Sequence, residues 1–168
     1  ASSLPIHEVE LEQENRMREV NRLFLKSHIE KRGSGDVGRV VEAIDSEDPK
    51  IAVLHSEHRM HDRKLKTLFG EVPITRRAYL ARGRQSIHPI DEILGLPERS
   101  FSYTLQAQLG KAAVQGPFEE AMERVYERTG VQVSKRMAEE IVQDIAVDFE
   151  AFYEGRKLSA AQARKAGP

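Results

Sequence analysis

Two groups of basic residues have the type and spacing needed to bind phosphate groups. The first lies between Arg59 and Arg84, where eight Lys or Arg residues stand against two acidic residues, a local charge of +6. Such a cluster attracts polyanions although the whole chain has a net charge of −1. Seven of its members are the predicted contacts to a DNA backbone: Arg63, Lys64, Lys66, Arg76, Arg77, Arg82 and Arg84.

The second group follows a predicted turn between two helices. One helix ends at Gly130 and Ser134 caps the next, a layout typical of helix-turn-helix motifs. The second helix of such a motif presents its N-terminal side chains to the major groove, so Ser134, Lys135 and Arg136 are the candidates for groove entry. An ordinary turn between packed helices is the alternative, because Tyr126 replaces the small residue of a tight motif and acidic residues follow Arg136.

Other patterns that could support chemistry are weaker. His55, His58 and His61 recur every third residue, which scatters them around a helix and divides them between the faces of a strand. The segment 33–38 (GSGDVG) lacks the Lys that follows a phosphate-binding loop. The absence of Cys excludes thiolate metal sites, and the carboxylates fit solvated helix faces better than a Mg²⁺ site. We therefore predict no catalytic residue, metal site or cofactor in this segment.

The elements that must position these side chains predict an α+β fold. A long helix is expected over residues 5–32, for packing or dimerisation. Two short β-runs are expected over 39–44 and 50–55, with a helix as the alternative for the first. Five parts follow: the long helix (1–34), a β-hairpin or meander with a basic face (35–84), a connector (85–100), a helical region with the helix-turn-helix-like pair (101–156) and a tail (157–168). No run of apolar residues is long enough to span a membrane, so no membrane partner is expected.

The hairpin is expected over residues 63–80, with Gly70 and Glu71 as the central residues of a type II′ turn. That register places three pairs of residues opposite one another: Phe69 with Val72, Thr67 with Ile74, and Leu65 with Arg76. One face is then mostly apolar and the other basic. Arg76 is the weakest phosphate candidate, because this register points it to the packed face.

Several segments together resemble a known family. The stretch RKLKTLFGEVPITRRAY, then HPIDEILGLPE, then FEEAMERVYERTGVQVSKRMAEEIV and DFEAFYEGR are similar to the N-terminal half of bacterial insertion-sequence transposases of the Kra type, allied to the Lre type. The resemblance runs from Val41 to Arg156. It implies a region that recognises the transposon ends, followed in the full protein by a ribonuclease-H-like domain that holds Mg²⁺. Some relatives carry a zinc knuckle after the hairpin, but Leu80 and Gly83 stand at its Cys positions here.

The favoured interpretation is the DNA-binding region of a transposase without its catalytic domain, acting on double-stranded terminal repeats in the bacterial cytoplasm, in association with the nucleoid, and able to form a homodimer. Mg²⁺ is expected only in a domain beyond this segment. Two alternatives stay open at this point. The chain could be a protein-interaction or self-assembly module, in which the hairpin is only a sheet edge. It could also be a stand-alone DNA-binding regulator derived from a transposase.

Overall fold

The fold is α+β, as predicted. The structure is a computed structural model that describes residues 4–44 and 52–147. In chain order the elements are α1 (Ile6–Glu30), β1 (Val41–Ile44), β2 (Ala52–His55), β3 (Glu57–Thr67), β4 (Gly70–Leu80), α2 (Pro89–Ile93), α3 (Tyr103–Val114), α4 (Phe118–Thr129) and α5, which covers residues 135–147. The predicted helical region beyond residue 147 and the tail at 157–168 lie outside the described residues.

Two compact units divide the chain, Ala1–Tyr103 and Thr104–Pro168. The first contains the long helix and two antiparallel two-stranded sheets, β1 with β2 and β3 with β4. The short sheet confirms the two predicted β-runs. Among the described residues, none of the helices combines the length and apolar content needed to cross a membrane.

The β3–β4 hairpin turns two residues earlier than predicted. Thr67 pairs with Gly70 and Leu65 pairs with Val72, so Leu68 and Phe69 are the central turn residues. The three predicted pairings, Phe69 with Val72, Thr67 with Ile74 and Leu65 with Arg76, are therefore wrong. A type II′ turn would need a positive φ at Leu68, whereas in the described chain only glycines adopt one. Gly70 instead takes the positive φ (108°) directly after the turn.

The predicted faces of the hairpin nevertheless survive this correction. A shift of two residues matches the two-residue period of a strand, so every side chain stays on its expected side. Leu65, Val72 and Ile74 are buried together with Ile29 of α1, and Leu25 packs against the same cluster. The C-terminal half of α1 therefore lies on the apolar face of the hairpin.

The glycine-rich segment 33–38, which follows α1, forms hydrogen bonds to β4. The Ser34 carbonyl accepts a hydrogen bond from the Arg77 N–H (2.7 Å). The hydroxyl of Tyr79, whose side chain is fully buried, accepts from the Val37 N–H (3.0 Å) and donates to the Gly38 carbonyl (2.9 Å). These contacts give the segment a structural role. They are not the contacts expected of a phosphate-binding loop.

Three helices, α3, α4 and α5, make up the part of the second unit that the structure describes. Its buried side chains come from α3, from α4, from the turn after α4 and from α5: Leu105, Leu109, Ala112, Ala121, Val125, Thr129, Val131, Ala138 and Ile141. On each helix these residues recur at spacings of three or four, so each helix buries one face. This unit is the predicted helical bundle with its helix-turn-helix-like pair.

Candidate nucleic-acid interface

The turn between α4 and α5 is shaped by local hydrogen bonds. Gly130 adopts the left-handed conformation (φ 69°), which favours glycine, and its N–H donates to the Tyr126 carbonyl over 2.7 Å. The buried Thr129 hydroxyl donates to the Val125 carbonyl (2.6 Å) and accepts from the Val131 N–H (3.2 Å). Because these bonds satisfy the backbone at the end of α4, the chain leaves that helix in one defined direction.

The first turn of α5 is open to solvent. The Ser134 hydroxyl accepts a hydrogen bond from the Met137 N–H (3.4 Å), which confirms Ser134 as the cap. Lys135 and Arg136 follow it and are exposed. The side chain of Arg136 is 90% exposed, and its Nε donates to Glu140 Oε1 one turn later (3.0 Å). An exposed pair of this kind contributes only about 0.3–0.5 kcal/mol, so phosphate can replace it at little cost.

The large residue before the turn does not prevent this geometry. Ala121, Val125 and Thr129 form the buried face of α4. Tyr126 lies one position away from that face and is 48% exposed. The turn therefore forms without the small residue that a tight motif has at this position.

The structure places two predicted phosphate contacts, Arg63 and Arg76, in an ion cluster with Asp91 instead of on an open surface. Their side chains are only 9% and 15% exposed. Asp91 Oδ2 accepts from Nη1 of Arg63 (3.1 Å) and from Nη1 of Arg76. Burial lowers the pKa of both guanidinium groups, and the charge of Arg63 adds to this effect at Arg76. We call these three residues the Asp91 cluster.

Arg63 also binds the connector that follows α2. Its Nη2 donates to the carbonyl oxygens of Pro97, Glu98 (3.1 Å) and Arg99 (2.6 Å). With Asp91 at one side of the guanidinium and three carbonyls at the other, its donors face the protein. Arg63 and Arg76 thus join β3, β4 and the connector.

Two residues of the predicted basic face pair with nearby carboxylates. Arg77 Nη2 lies 3.0 Å from Asp36 Oδ2 in the glycine-rich segment. Lys64 Nζ lies 2.9 Å from Glu71 Oε1 on the neighbouring strand, and the Lys64 side chain is 74% exposed. The hydrogen bond from the Gly38 N–H is the main cause that lowers the pKa of Asp36, and the charge of Arg77 lowers it further. This face is therefore much less cationic than the number of its basic residues suggests.

The remaining predicted cations lie near the surface. Lys66 Nζ is 5.1 Å from the centre of the Phe101 ring, a cation–π contact. Arg82 and Arg84 are exposed in the turn that follows β4. Arg59 is exposed two residues from the open end of the hairpin, where Glu57 pairs with Leu80. Register thus places Arg59, opposite Ala78, at the same end of the hairpin as the turn that carries Arg82 and Arg84.

A polar cleft of about 940 Å³ opens beside the Asp91 cluster. Its lining contains four cationic side chains (Arg63, Lys64, Lys66 and Arg76) and four carboxylates (Asp62, Glu71, Asp91 and Glu98). Because these charges balance, the cleft does not select for an anion. Several of the side chains that line the cleft form ion pairs that stabilise the fold, and the cleft is not a phosphate site.

Two histidines lie at the edge of this cluster. Nδ1 of His61 is 3.2 Å from Nε2 of His88. Burial lowers the pKa of His88 to about 4, and the charges of Arg76, His61 and Arg63 lower it in the same direction. His88 is therefore neutral in the folded chain at neutral pH.

The histidines do not converge on a common point. His55 is buried and bonds the carbonyls of Val53 and Gln85, whereas His58 lies beside the ring of Tyr79. Within residues 4–44 and 52–147 no group of three or more His, Asp or Glu is arranged to hold a metal ion.

Sequence reasoning missed Asp91 and Asp36 as partners of the arginines. A signal for Asp91 existed, because Arg63 and Arg76 share a strand face with Leu65 and Ile74. A guanidinium on a packed face needs a carboxylate, and Asp91 is the first acidic residue after a proline that opens a short helix. No comparable signal marks Asp36.

Comparison with known proteins identifies a family. The model of UPF0236, described as an uncharacterised protein family, matches residues 4–167. No curated protein and no solved structure matches the chain significantly.

Proposed function

The chain therefore belongs to UPF0236, and we propose that it binds double-stranded DNA through the helix-turn-helix of α4 and α5. The observation that carries this proposal is the exposed first turn of α5, where Ser134, Lys135 and Arg136 follow a hydrogen-bonded glycine turn. The positive end of a helix and two cations coincide there. In such motifs this position enters the major groove.

Lys135 and Arg136 at the start of α5 can have different roles in DNA recognition. Lys135 forms no ion pair within the described part of the chain, which leaves it available for a backbone phosphate. Arg136 has the planar group that contacts guanine O6 and N7 in pairs of hydrogen bonds. Arg136 is thus the residue that discriminates between sequences, and Lys135 is one that positions the helix.

The surface cations of the first unit supply contacts that do not depend on sequence. Lys64, Lys66, Arg82 and Arg84 are the candidates, with Arg59 added because it lies at the same end of the hairpin. Arg63, Arg76 and Arg77 take structural roles, since their charges are used within the protein. Fewer side chains of this unit are therefore proposed to bind phosphate than were predicted from the sequence.

The resemblance to Kra-type transposases supplies the finer part of the proposal. On that basis the DNA is the terminal repeat of an insertion sequence, the setting is the bacterial nucleoid, and catalysis with Mg²⁺ belongs to another domain. A stand-alone regulator would bind the same repeats without cutting them.

Fluorescence anisotropy with the full chain tests the DNA proposal. A labelled terminal-repeat duplex is compared with a scrambled duplex of equal composition at several salt concentrations. We expect tighter binding to the repeat. Arg136→Ala should remove most of this preference, at about 1–3 kcal/mol, because the variant cannot form the paired hydrogen bonds to a base.

Arg124→Ala is the matched control, because Arg124 forms the same kind of exposed pair, with Glu120, on α4 (2.9 Å). It should leave the preference unchanged. Absence of binding to either duplex at low salt would overturn the proposal. Equal weakening on both duplexes for Arg136→Ala would reduce its role to phosphate binding.

A further inference from the structure

Helix α1 carries an apolar stripe that its own unit does not cover. Ile6, Met17, Val20 and Phe24 lie within about 60° of arc on the helix surface. Their exposed fractions are 73%, 55%, 39% and 71%. The face that packs on the hairpin, with Leu25 and Ile29, lies about 130° away.

The charges of α1 are also separated along its length. Residues 6–15 contain four Glu and no Lys or Arg. Residues 16–32 contain six Lys or Arg and two Glu, a net charge of +4. Every Lys and Arg of α1 pairs with a Glu of the same helix: Arg16 with Glu12, Arg18 with Glu14, Arg22 with Glu19 and Lys26 with Glu30. The difference that remains is between Glu8 and Glu10 near the start of the helix and Lys31 and Arg32 directly after its end.

We propose that two copies of this chain associate through α1 in antiparallel orientation. The charges select both the partner and the direction. In an antiparallel pair the acidic start of each helix lies beside the Lys31 and Arg32 that follow the end of the other, whereas a parallel pair places like charges together. The stripe then meets its own counterpart across a two-fold axis, as in other symmetric dimers.

The helix has the dimensions for this interface. Its 25 residues extend over about 37 Å. Met17 and Val20 are near its midpoint, so the two-fold axis passes close to them. Gln13 occupies the stripe between Ile6 and Met17, and a polar side chain at such a position favours one register over others.

Sedimentation of the full chain over a dilution series tests the association. We expect a dimer that dissociates on dilution and weakens at high salt. Phe24→Glu should raise the dissociation constant at least about 100-fold, since a two-fold dimer contains the substitution twice. The matched control is Leu11→Glu, which changes an exposed apolar residue outside the stripe (60%, against 71% for Phe24) and should leave the dimer intact.

Two results would overturn the association. One is a wild-type chain that remains monomeric at every concentration. The other is a Phe24→Glu chain that loses folded structure by circular dichroism, which would mean that the stripe is covered by the same chain. Arg136→Ala should still dimerise, so failure of DNA binding and failure of dimerisation can be told apart.

Spin labels determine the orientation, and the absence of Cys allows single attachment sites. With labels at His7→Cys, the antiparallel pair separates the two labels by about 35 Å along the axis. With labels at Asn15→Cys, the separation is about 10 Å. Short distances at both positions would indicate a parallel pair and would contradict the proposal.

Discussion

At the scale of the residue, Asp91 compensates two buried cations. Asp91→Asn would leave Arg63 and Arg76 close together with no counter-charge. We expect the free energy of unfolding to fall by about 3 kcal/mol, the lower end of the range for breaking a buried ion pair. Urea denaturation measures this decrease. Glu71→Gln, which breaks the exposed pair with Lys64, is the control and should cost less than about 1 kcal/mol. Equal decreases for the two variants would contradict a buried cluster.

The neighbouring His88 links stability to pH. Its pKa is lowered from 6.5 to about 4 in the folded chain. Between these values the unfolded chain binds a proton that the folded chain does not bind, so the free energy of unfolding decreases as the pH falls from 6.5 towards 4. His88→Asn should make this decrease shallower. Urea midpoints measured across the same pH range check it, and an unchanged slope would show that other groups cause the decrease.

At the scale of the element, the glycine-rich segment depends on a close approach to α2. A Cβ added to Gly35 would lie 2.7 Å from the Ile90 backbone N, and Gly35 also has a positive φ (78°). Gly83 has a similar φ (72°) but nothing within 4 Å of such a Cβ. We expect Gly83→Ala to cost about 1–2 kcal/mol from the backbone conformation alone, and Gly35→Ala to cost clearly more. Similar urea midpoints for the two variants would argue against the close approach.

The hairpin shows which features of an element the sequence can predict. Alternation of apolar and polar residues identified both faces of β3 and β4 correctly. The turn was wrong by two residues because a Gly at position 70 suits two places, inside a type II′ turn or directly after another turn. Burial of one face strongly determines which strand residues point to the core. The position of the turn depends instead on a choice between local conformations of similar energy.

The candidate site was predicted less completely than the fold. The cap at Ser134 and the turn at Gly130 depend on nearby residues, and both were predicted from local spacing. The pairing of Arg63 with Asp91 joins residues 28 positions apart. Such a pairing depends on how the connector folds back on β3, and a single sequence contains little information about that path.

At the scale of the whole molecule, charge distribution matters more than net charge. Ion pairs with Asp36, Glu71 and Asp91 neutralise much of the positive charge between residues 59 and 84. The carboxylates that pair with Arg63, Arg76 and Arg77 come from α2 and from the glycine-rich segment. Exposed cations nevertheless remain along the hairpin, among them Arg59, Lys64, Arg82 and Arg84, and at the start of α5.

This distribution predicts how DNA affinity depends on salt. Lys64→Ala combined with Arg82→Ala should weaken binding of repeat and scrambled duplexes equally, because phosphate contacts carry no sequence information. The slope of log affinity against log salt should become shallower by about 0.9 for each phosphate that the variant no longer neutralises. Lys111→Ala combined with Arg124→Ala changes the net charge equally, at exposed sites on α3 and α4, and should leave the slope unchanged. If both double variants shift the slope to the same extent, net charge alone governs binding, and the phosphate-binding roles assigned to Lys64 and Arg82 are wrong.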